Sequence, residues 1–229
     1  MLRIEKMNSY YGESSIIRDL DLSVEAGKIT CLIGRNGVGK STTLKSIMGL
    51  VRTPSGAVKL DGTDMIKMPT YDRVKLGIGY VPQGREIFPQ MTVQENINLG
   101  LQPLGGKGEI PDYIYDLFPI LPKFSKRKGG DLSGGQQQLA IARALVAKPK
   151  ILILDEPTEG IQPSIIDDIG IAIRKVNKEL GITVLIVEQY LEFVLSISDY
   201  IYVMEKGEIV MEGKTSELSA DEVQRKMTD

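Results

Sequence analysis

The chain has 229 residues, a formal net charge of −2, 42% apolar and 25% charged side chains, one cysteine and no histidine. That length suits one large domain with a substantial core, and the near-neutral balance gives no reason to expect a nucleic-acid-binding surface. A single cysteine, Cys31, excludes an internal disulfide framework and suits a reducing compartment.

In chain order, the opening M-L-R-I-E-K-M lacks the long apolar stretch of a secretory signal. Residues 1–25 read as antiparallel strands and turns. Ile29–Ile33 is an apolar, β-branched run of the kind that forms a buried strand, with Cys31 as packing inside it. Ser41–Gly49 carries helical periodicity, and Ser55–Gly62 reads as further antiparallel strand and turn. Ile78–Val81 is a second buried run. From Pro82 to Pro149 the strand pattern lapses into helices and loops with Gly and Pro, read as an inserted, mostly helical lobe that contains the helix Gln136–Ala147. Ile151–Leu154 and Thr183–Val187 are buried strands flanking the helix Ser164–Leu180. The segments Ile201–Met204 and Ile209–Met211 form a hairpin around Lys206-Gly207. Alternating strands and helices predict an α/β fold with a central parallel sheet. The expected organisation is one domain, 1–229, with a core of residues 1–82 and 150–229 and a lobe of residues 83–149. No apolar run approaches the ~18–20 residues that cross a bilayer, so work at a membrane requires another chain to hold this one there.

Gly34-Arg35-Asn36-Gly37-Val38-Gly39-Lys40-Ser41 fits G-x-x-x-x-G-K-[ST] between a strand and a helix, the context a phosphate-binding loop requires. Its glycines let successive backbone N–H groups converge on phosphate oxygens beside a helix N-terminus. Arg35, Asn36, Gly37, Val38, Gly39, Lys40, Ser41 and Thr42 are therefore the expected contacts of ATP. Lys40 would reach the β- and γ-phosphates and the Ser41 hydroxyl would ligate Mg²⁺. A chance match in a chain this long is on the order of one per cent given ordinary glycine usage. Ile151-Leu152-Ile153-Leu154-Asp155-Glu156 delivers two carboxylates to a strand end, where open α/β sheets bind ligands. Asp155 is the candidate Mg²⁺ ligand and Glu156 the candidate base that orients an attacking water. A solvated strand end would explain the pair equally well in isolation; the phosphate loop favours the functional reading.

Leu132-Ser133-Gly134-Gly135-Gln136 opens a helix and offers a hydroxyl and free N–H groups to an anion. L-S-G-G-Q ahead of Asp155 resembles the ATP-binding-cassette (ABC) ATPases along essentially the whole chain. The resemblance implies a P-loop NTPase fold with a mainly parallel central sheet, an N-terminal antiparallel part and an inserted helical lobe. It implies that Ser133, Gly134, Gly135 and Gln136 close on the γ-phosphate held by a partner ATPase. Tyr11 falls where an aromatic stacks on adenine, and Gln83, after Tyr80-Val81-Pro82, where a glutamine senses Mg²⁺ and the transport domain. The lobe that follows is where this family contacts membrane subunits.

Three further stretches, Gly84-Arg85-Glu86-Ile87-Phe88-Pro89, Arg127-Lys128-Gly129-Gly130-Asp131 and Glu159-Gly160-Ile161-Gln162-Pro163-Ser164, resemble the ATPase subunits of branched-chain amino acid and amide importers, the urea type above all. Such importers imply a second, different ATPase, two permeases and a solute-binding protein, at the cytoplasmic face of the cell membrane and with no nucleic acid. Three departures from the wider pattern stand out. Gln162 replaces the usual Asp after Glu156, Gln189 replaces the switch histidine, and Q-Q-Q-L-A before A-I-A-R-A-L is one residue short. Glutamine at Gln189 can position a phosphate or water but cannot shuttle a proton, and Glu188 reads as a solvated or structural carboxylate. Three other readings are weighed. A soluble ABC ATPase of translation or repair would carry paired cassettes or long coiled-coil insertions, which this chain lacks; a subunit that binds ATP without hydrolysing it would follow if the departures disable turnover. A small-molecule P-loop kinase would have no use for L-S-G-G-Q.

Overall fold

The computed structural model describes residues 1–132 and 134–228, with Thr228 described by its backbone alone. Strands β1 (Leu2–Tyr11) and β2 (Ser14–Val24) form an antiparallel hairpin, followed by β3 (Ile29–Ile33), helix α1 (Lys40–Ile47), and strands β4 (Arg52–Leu60) and β5 (Thr63–Asp64). Helix α2 (Thr70–Lys75) leads to β6 (Ile78–Val81). The segment up to Lys150 is helical: α3 (Val93–Leu99), α4 (Asp112–Leu117), α5 (Ile120–Lys123) and α6 (Gln136–Leu145). The chain closes with β7 (Ile151–Asp155), α7 (Pro163–Leu180), β8 (Thr183–Glu188), α8 (Leu191–Ile197), β9 (Tyr200–Glu205), β10 (Glu208–Lys214) and α9 (Ala220–Thr228).

Six strands make the central sheet in the order β10-β9-β3-β8-β7-β6, all neighbours parallel except the β9–β10 hairpin. The turn of that hairpin is Lys206-Gly207, both with positive φ, as a two-residue turn between twisted strands requires. The other four strands form an antiparallel sheet ordered β2-β1-β4-β5. Because side chains alternate across a strand, the central sheet feeds two cores. Leu32, Ile153, Leu185 and Val187 point toward α1 and the antiparallel sheet. Cys31, Ile33, Leu152, Leu154, Val184 and Ile186 point toward α6, α7 and α8. Strands buried on both faces have to be apolar throughout, which is why these runs show no alternation.

The expected helices and strands appear with small shifts. Strands β7 and β8 run one residue further than their apolar runs, into Asp155 and Glu188. Each carboxylate finds hydrogen-bond donors there and can stay in the ladder. Helix α1 starts one residue early, at Lys40, and α6 ends at Leu145 rather than Ala147. Register then fixes the geometry that matters. Ile33 pairs with Glu188 and Asp155 with Val187, so β3, β7 and β8 end together. The loops that leave those three ends carry the phosphate loop, Glu156 and Gln189.

Candidate functional site

Gly39 opens α1 with φ +116°, and a side chain there would meet Ile17 Cδ1 at 2.9 Å; only glycine lets the loop turn so sharply against β2. No side chain caps this helix start, so its first N–H groups, and the positive end of its dipole, are left for an anion. Lys40 lies directly beneath and is only 3% exposed. Its Nζ donates to the Arg35 carbonyl at 2.9 Å and pairs with Glu156 Oε1 at 3.1 Å. Ser41 Oγ donates to Asp155 Oδ1 at 2.8 Å. Gln83 Nε2 donates to Glu156 Oε2 at 3.2 Å and to Glu159 Oε2 at 3.1 Å.

Asn36, Gly37, Gly39, Lys40, Ser41, Thr42, Gln83 and Glu156 line one cleft of ≈ 190 Å³. That is room for phosphate groups and not for a whole nucleotide, so the base must lie outside it. Arg35 is exposed and Val38 partly so on the rim of the loop. Tyr11, at the end of β1, is half-exposed, outside the cleft. Residues 134 to 136 do not line it. Gly134 has φ +72°, and Gln136 is held by Arg85 Nη1 at 3.4 Å and by its own bond to the Gly130 carbonyl at 3.0 Å. Ser133 falls outside the described residues. Gln189 is exposed just past β8 at the same sheet end as Glu156, and does not line the cleft.

Asp155 is 1% exposed, and burial pushes its carboxyl above the usual carboxylate range, against the Ser41 hydroxyl that donates to it. Its Oδ2 is buried and has no hydrogen-bond partner among the described residues. A buried, unpartnered carboxylate oxygen beside a serine hydroxyl fits a hard divalent cation. One carboxylate with a neighbouring hydroxyl suits Mg²⁺, an ion bound by one or two protein oxygens together with phosphates and water. The share of Glu159 in the Gln83 amide was not anticipated from sequence. Glu188, expected as a solvated or structural carboxylate, is the structural one: it is 1% exposed and fully engaged by Thr158, Gln189 and Tyr190. A glutamate closing an apolar strand was the available signal for Glu188.

The chain matches the ABC transporter family over residues 17–159. It is 42% identical, over 95% of its length and 94% of the relative's, to the probable branched-chain amino acid transport ATP-binding protein LivF of Archaeoglobus fulgidus. It is 39% identical, over 92% of its length and 91% of the relative's, to the high-affinity branched-chain amino acid transport ATP-binding protein BraG of Pseudomonas aeruginosa. Among solved structures it is similar to a nucleotide-free ATP-binding cassette from an ABC transporter, with a TM-score of 0.83 and 31% identity over 100% of this chain and 95% of that one. It is also similar to a dimeric cassette in a post-hydrolysis state bound to ADP and Pi, with a TM-score of 0.82 and 26% identity over 94% of this chain and 99% of that one. With the phosphate loop, Glu156 and Gln83 lining one cleft, with Asp155 bonded to Ser41 beside them, and with relatives of this identity along nearly the whole chain, the protein belongs to the ABC transporter family as one of its ATP-binding subunits.

Proposed function

We propose that this ATPase is the motor of an importer for branched-chain amino acids, short-chain amides or urea. It would work at the cytoplasmic face of the cell membrane with a second, different ATPase, two permeases and a solute-binding protein. The observation that carries the reading is the Lys40–Glu156–Gln83 constellation beside the Ser41–Asp155 pair at one sheet end. In that reading Lys40 leaves Glu156 for the β- and γ-phosphates. The freed Glu156 Oε1 then accepts a proton from the water that attacks the γ-phosphorus, while the bond from that phosphorus to the β,γ-bridging oxygen breaks and the electron pair leaves with ADP. Gln83 keeps the other oxygen in place, and Gln189 positions the γ-phosphate or the water. Ser41 and Asp155 would hold Mg²⁺, which would supply neutralisation of charge on the phosphates. Tyr11 stacks on adenine. Ser133, Gly134, Gly135 and Gln136 close on the nucleotide held by the partner ATPase, and the partner's corresponding segment completes this site, so ATP joins two subunits and hydrolysis parts them.

The division into a core of residues 1–82 and 150–229 and a lobe of residues 83–149 belongs to the same proposal. An apolar groove of ≈ 510 Å³ runs between the two, lined by Val74, Tyr80, Phe88, Leu104 and Arg143 among others. Phe88 and Leu104 are half-exposed there. A groove of that character supports a permease helix as its occupant, beside the Gln83 loop that senses the nucleotide. Among the described residues no helix is long and apolar enough to cross a membrane; in this proposal the permeases supply the transmembrane path.

The test is reconstitution in vesicles with the neighbouring ATPase and permeases. ATP turnover is measured with the solute-binding protein loaded in turn with leucine, a short amide and urea. One of these is expected to stimulate turnover and to accumulate inside, and Glu156→Gln is expected to abolish both. Turnover that ignores all three loaded proteins would overturn the importer reading.

A further inference from the structure

Glu188 closes β8 and is 1% exposed, less than the 3% of Lys40 in the phosphate loop. Its Oε1 accepts from the Thr158 backbone N–H at 2.9 Å and from the Thr158 hydroxyl at 2.7 Å. Its Oε2 accepts from the backbone N–H of Gln189 at 2.9 Å and of Tyr190 at 3.3 Å. Four donors therefore saturate one buried carboxylate, the arrangement in which charge-assisted hydrogen bonds are strongest. The backbone of Glu188 reaches a third segment, since its carbonyl accepts from the N–H of Gly34, the first residue of the phosphate loop, at 3.4 Å.

Two residues before Thr158 stands Glu156, with φ +46°, in the left-handed region that a non-glycine residue enters at a cost. Such a conformation persists only where neighbouring contacts hold it. The Glu156 N–H bonds to the Val187 carbonyl at 3.0 Å, and the Thr158 turn is pinned to Glu188 on the same strand. Strand β8 thus fixes Glu156 from both sides of the strained bond. The same carboxylate fixes the backbone from which Gln189 projects.

We propose that Glu188 is the positioning residue that sets Glu156 and Gln189 as one unit: one oxygen holds the turn that carries the base, the other the turn that carries the glutamine. A displacement of either loop is transmitted to the other through a single rigid side chain. Glu188 touches no substrate; it acts through the two residues that do. The inference rests on the roles proposed above for Glu156 and Gln189.

The test compares Glu188→Gln, Gln189→Ala and the double variant in the assembled ATPase, with Glu156→Gln as control. The amide in Glu188→Gln keeps the shape, but in either orientation its NH₂ faces at least one backbone N–H and cannot accept from it. Expected is a fall in kcat of roughly tenfold or more, with KM for ATP within about twofold of wild type. Combining it with Gln189→Ala should cost much less than the product of the single effects, because the residues act together. Wild-type kcat in Glu188→Gln overturns the proposal, and so do effects that multiply in full or a loss confined to KM. Should Glu188→Gln fail to fold, Thr158→Val removes a single hydroxyl donor and decides in its place. A smaller fall in kcat at constant KM supports the proposal, and unchanged turnover overturns it. Glu156→Gln separates the two failures: if it hydrolyses ATP normally the base assignment is wrong, and if it alone is inactive only the role of Glu188 falls.

Discussion

Helix α1 ends in two opposite ways, and the contrast separates what folds this protein from what works in it. At its C-terminus the buried Arg73 seals the helix. Its Nη1 donates to the carbonyls of Ser46 at 2.9 Å and Ile47 at 2.6 Å, Nε to Met68 at 2.9 Å, and Nη2 to Ile66 at 2.9 Å. Gly49, in the left-handed region, leaves the space the guanidinium fills, since a Cβ there would come within 2.8 Å of it. At the N-terminus nothing seals the helix: Gly39 has no capping side chain, and Asp155 Oδ2 has no partner among the described residues. Both ends hold buried charge. One is saturated by the chain itself; the other is left for phosphate and a cation, which is what a binding site is in electrostatic terms.

The contrast predicts that substitutions at the open end change chemistry and those at the sealed end change stability. The largest effect belongs to Glu156→Gln. Removing the base while keeping the shape should lower kcat by ~10²–10⁴, with ATP still bound. The variant should also accumulate as an ATP-bound pair on size exclusion. Wild-type turnover would remove Glu156 from the open end's chemistry.

Next comes the sealed end. Arg73→Met keeps the stem and deletes four hydrogen bonds to backbone carbonyls, some of which are left buried and unpaired. A loss of about 3 kcal/mol in unfolding free energy is expected, read as a lower urea midpoint. The folded fraction should bind and hydrolyse ATP as before. A variant as stable as wild type but defective in turnover would mean that the two ends of α1 are not separate in function.

Gln189→Ala ranks third. Its side chain is neutral and exposed, and it can only orient a phosphate oxygen or a water. Its loss should lower kcat by roughly 10–100-fold, about 1.4–2.7 kcal/mol of transition-state stabilisation, with less change in ATP affinity. Gln189→His should retain or raise the basal rate, because an imidazole reaches a similar distance. Unchanged hydrolysis in Gln189→Ala would make Gln189 only a residue past the end of a strand.

What could be read from sequence follows the same division. Runs such as Ile29–Ile33 and Ile78–Val81 appear as strands with those bounds, because burial on both faces leaves no polar position to blur the pattern. The phosphate loop was legible because its glycines and lysine are dictated by backbone geometry and charge at fixed spacing. Arg73 was not legible: its partners are carbonyls from residues 46 to 68, which no side-chain pattern encodes. Glu188 was half legible, since an apolar run marks the strand but not the donors of Thr158, which arrive from another loop. The strain at Glu156 is likewise a product of two strand ends meeting, and no local propensity announces it.

The smallest effect concerns a third helix end, α3, whose N-terminus is sealed by side chains. Thr92 caps it: Glu95 N donates to Thr92 Oγ1 at 3.1 Å, while Glu95 Oε2 accepts from the Thr92 N–H at 2.7 Å and from its hydroxyl at 2.8 Å. This reciprocal box satisfies the N–H groups that α1 leaves open, so α3 has nothing to offer a phosphate. Thr92→Ala should therefore cost about 1 kcal/mol of stability, the usual loss of an N-cap, and leave ATP turnover unchanged. The cap also carries a pH signature. The Thr92 N–H, with its hydroxyl, holds the Glu95 carboxyl below the usual carboxylate range. A lowered folded-state value means that the stabilisation is present above the unfolded value and disappears as pH falls through the folded one. The hydroxyl's bond to the carboxylate weakens with that protonation, so the gap between wild-type and Thr92→Ala urea midpoints should be wider at pH 7 than at pH 3. A gap that stays constant with pH would show that the hydroxyl stabilises α3 only through the Glu95 N–H, and that the box is a one-way cap.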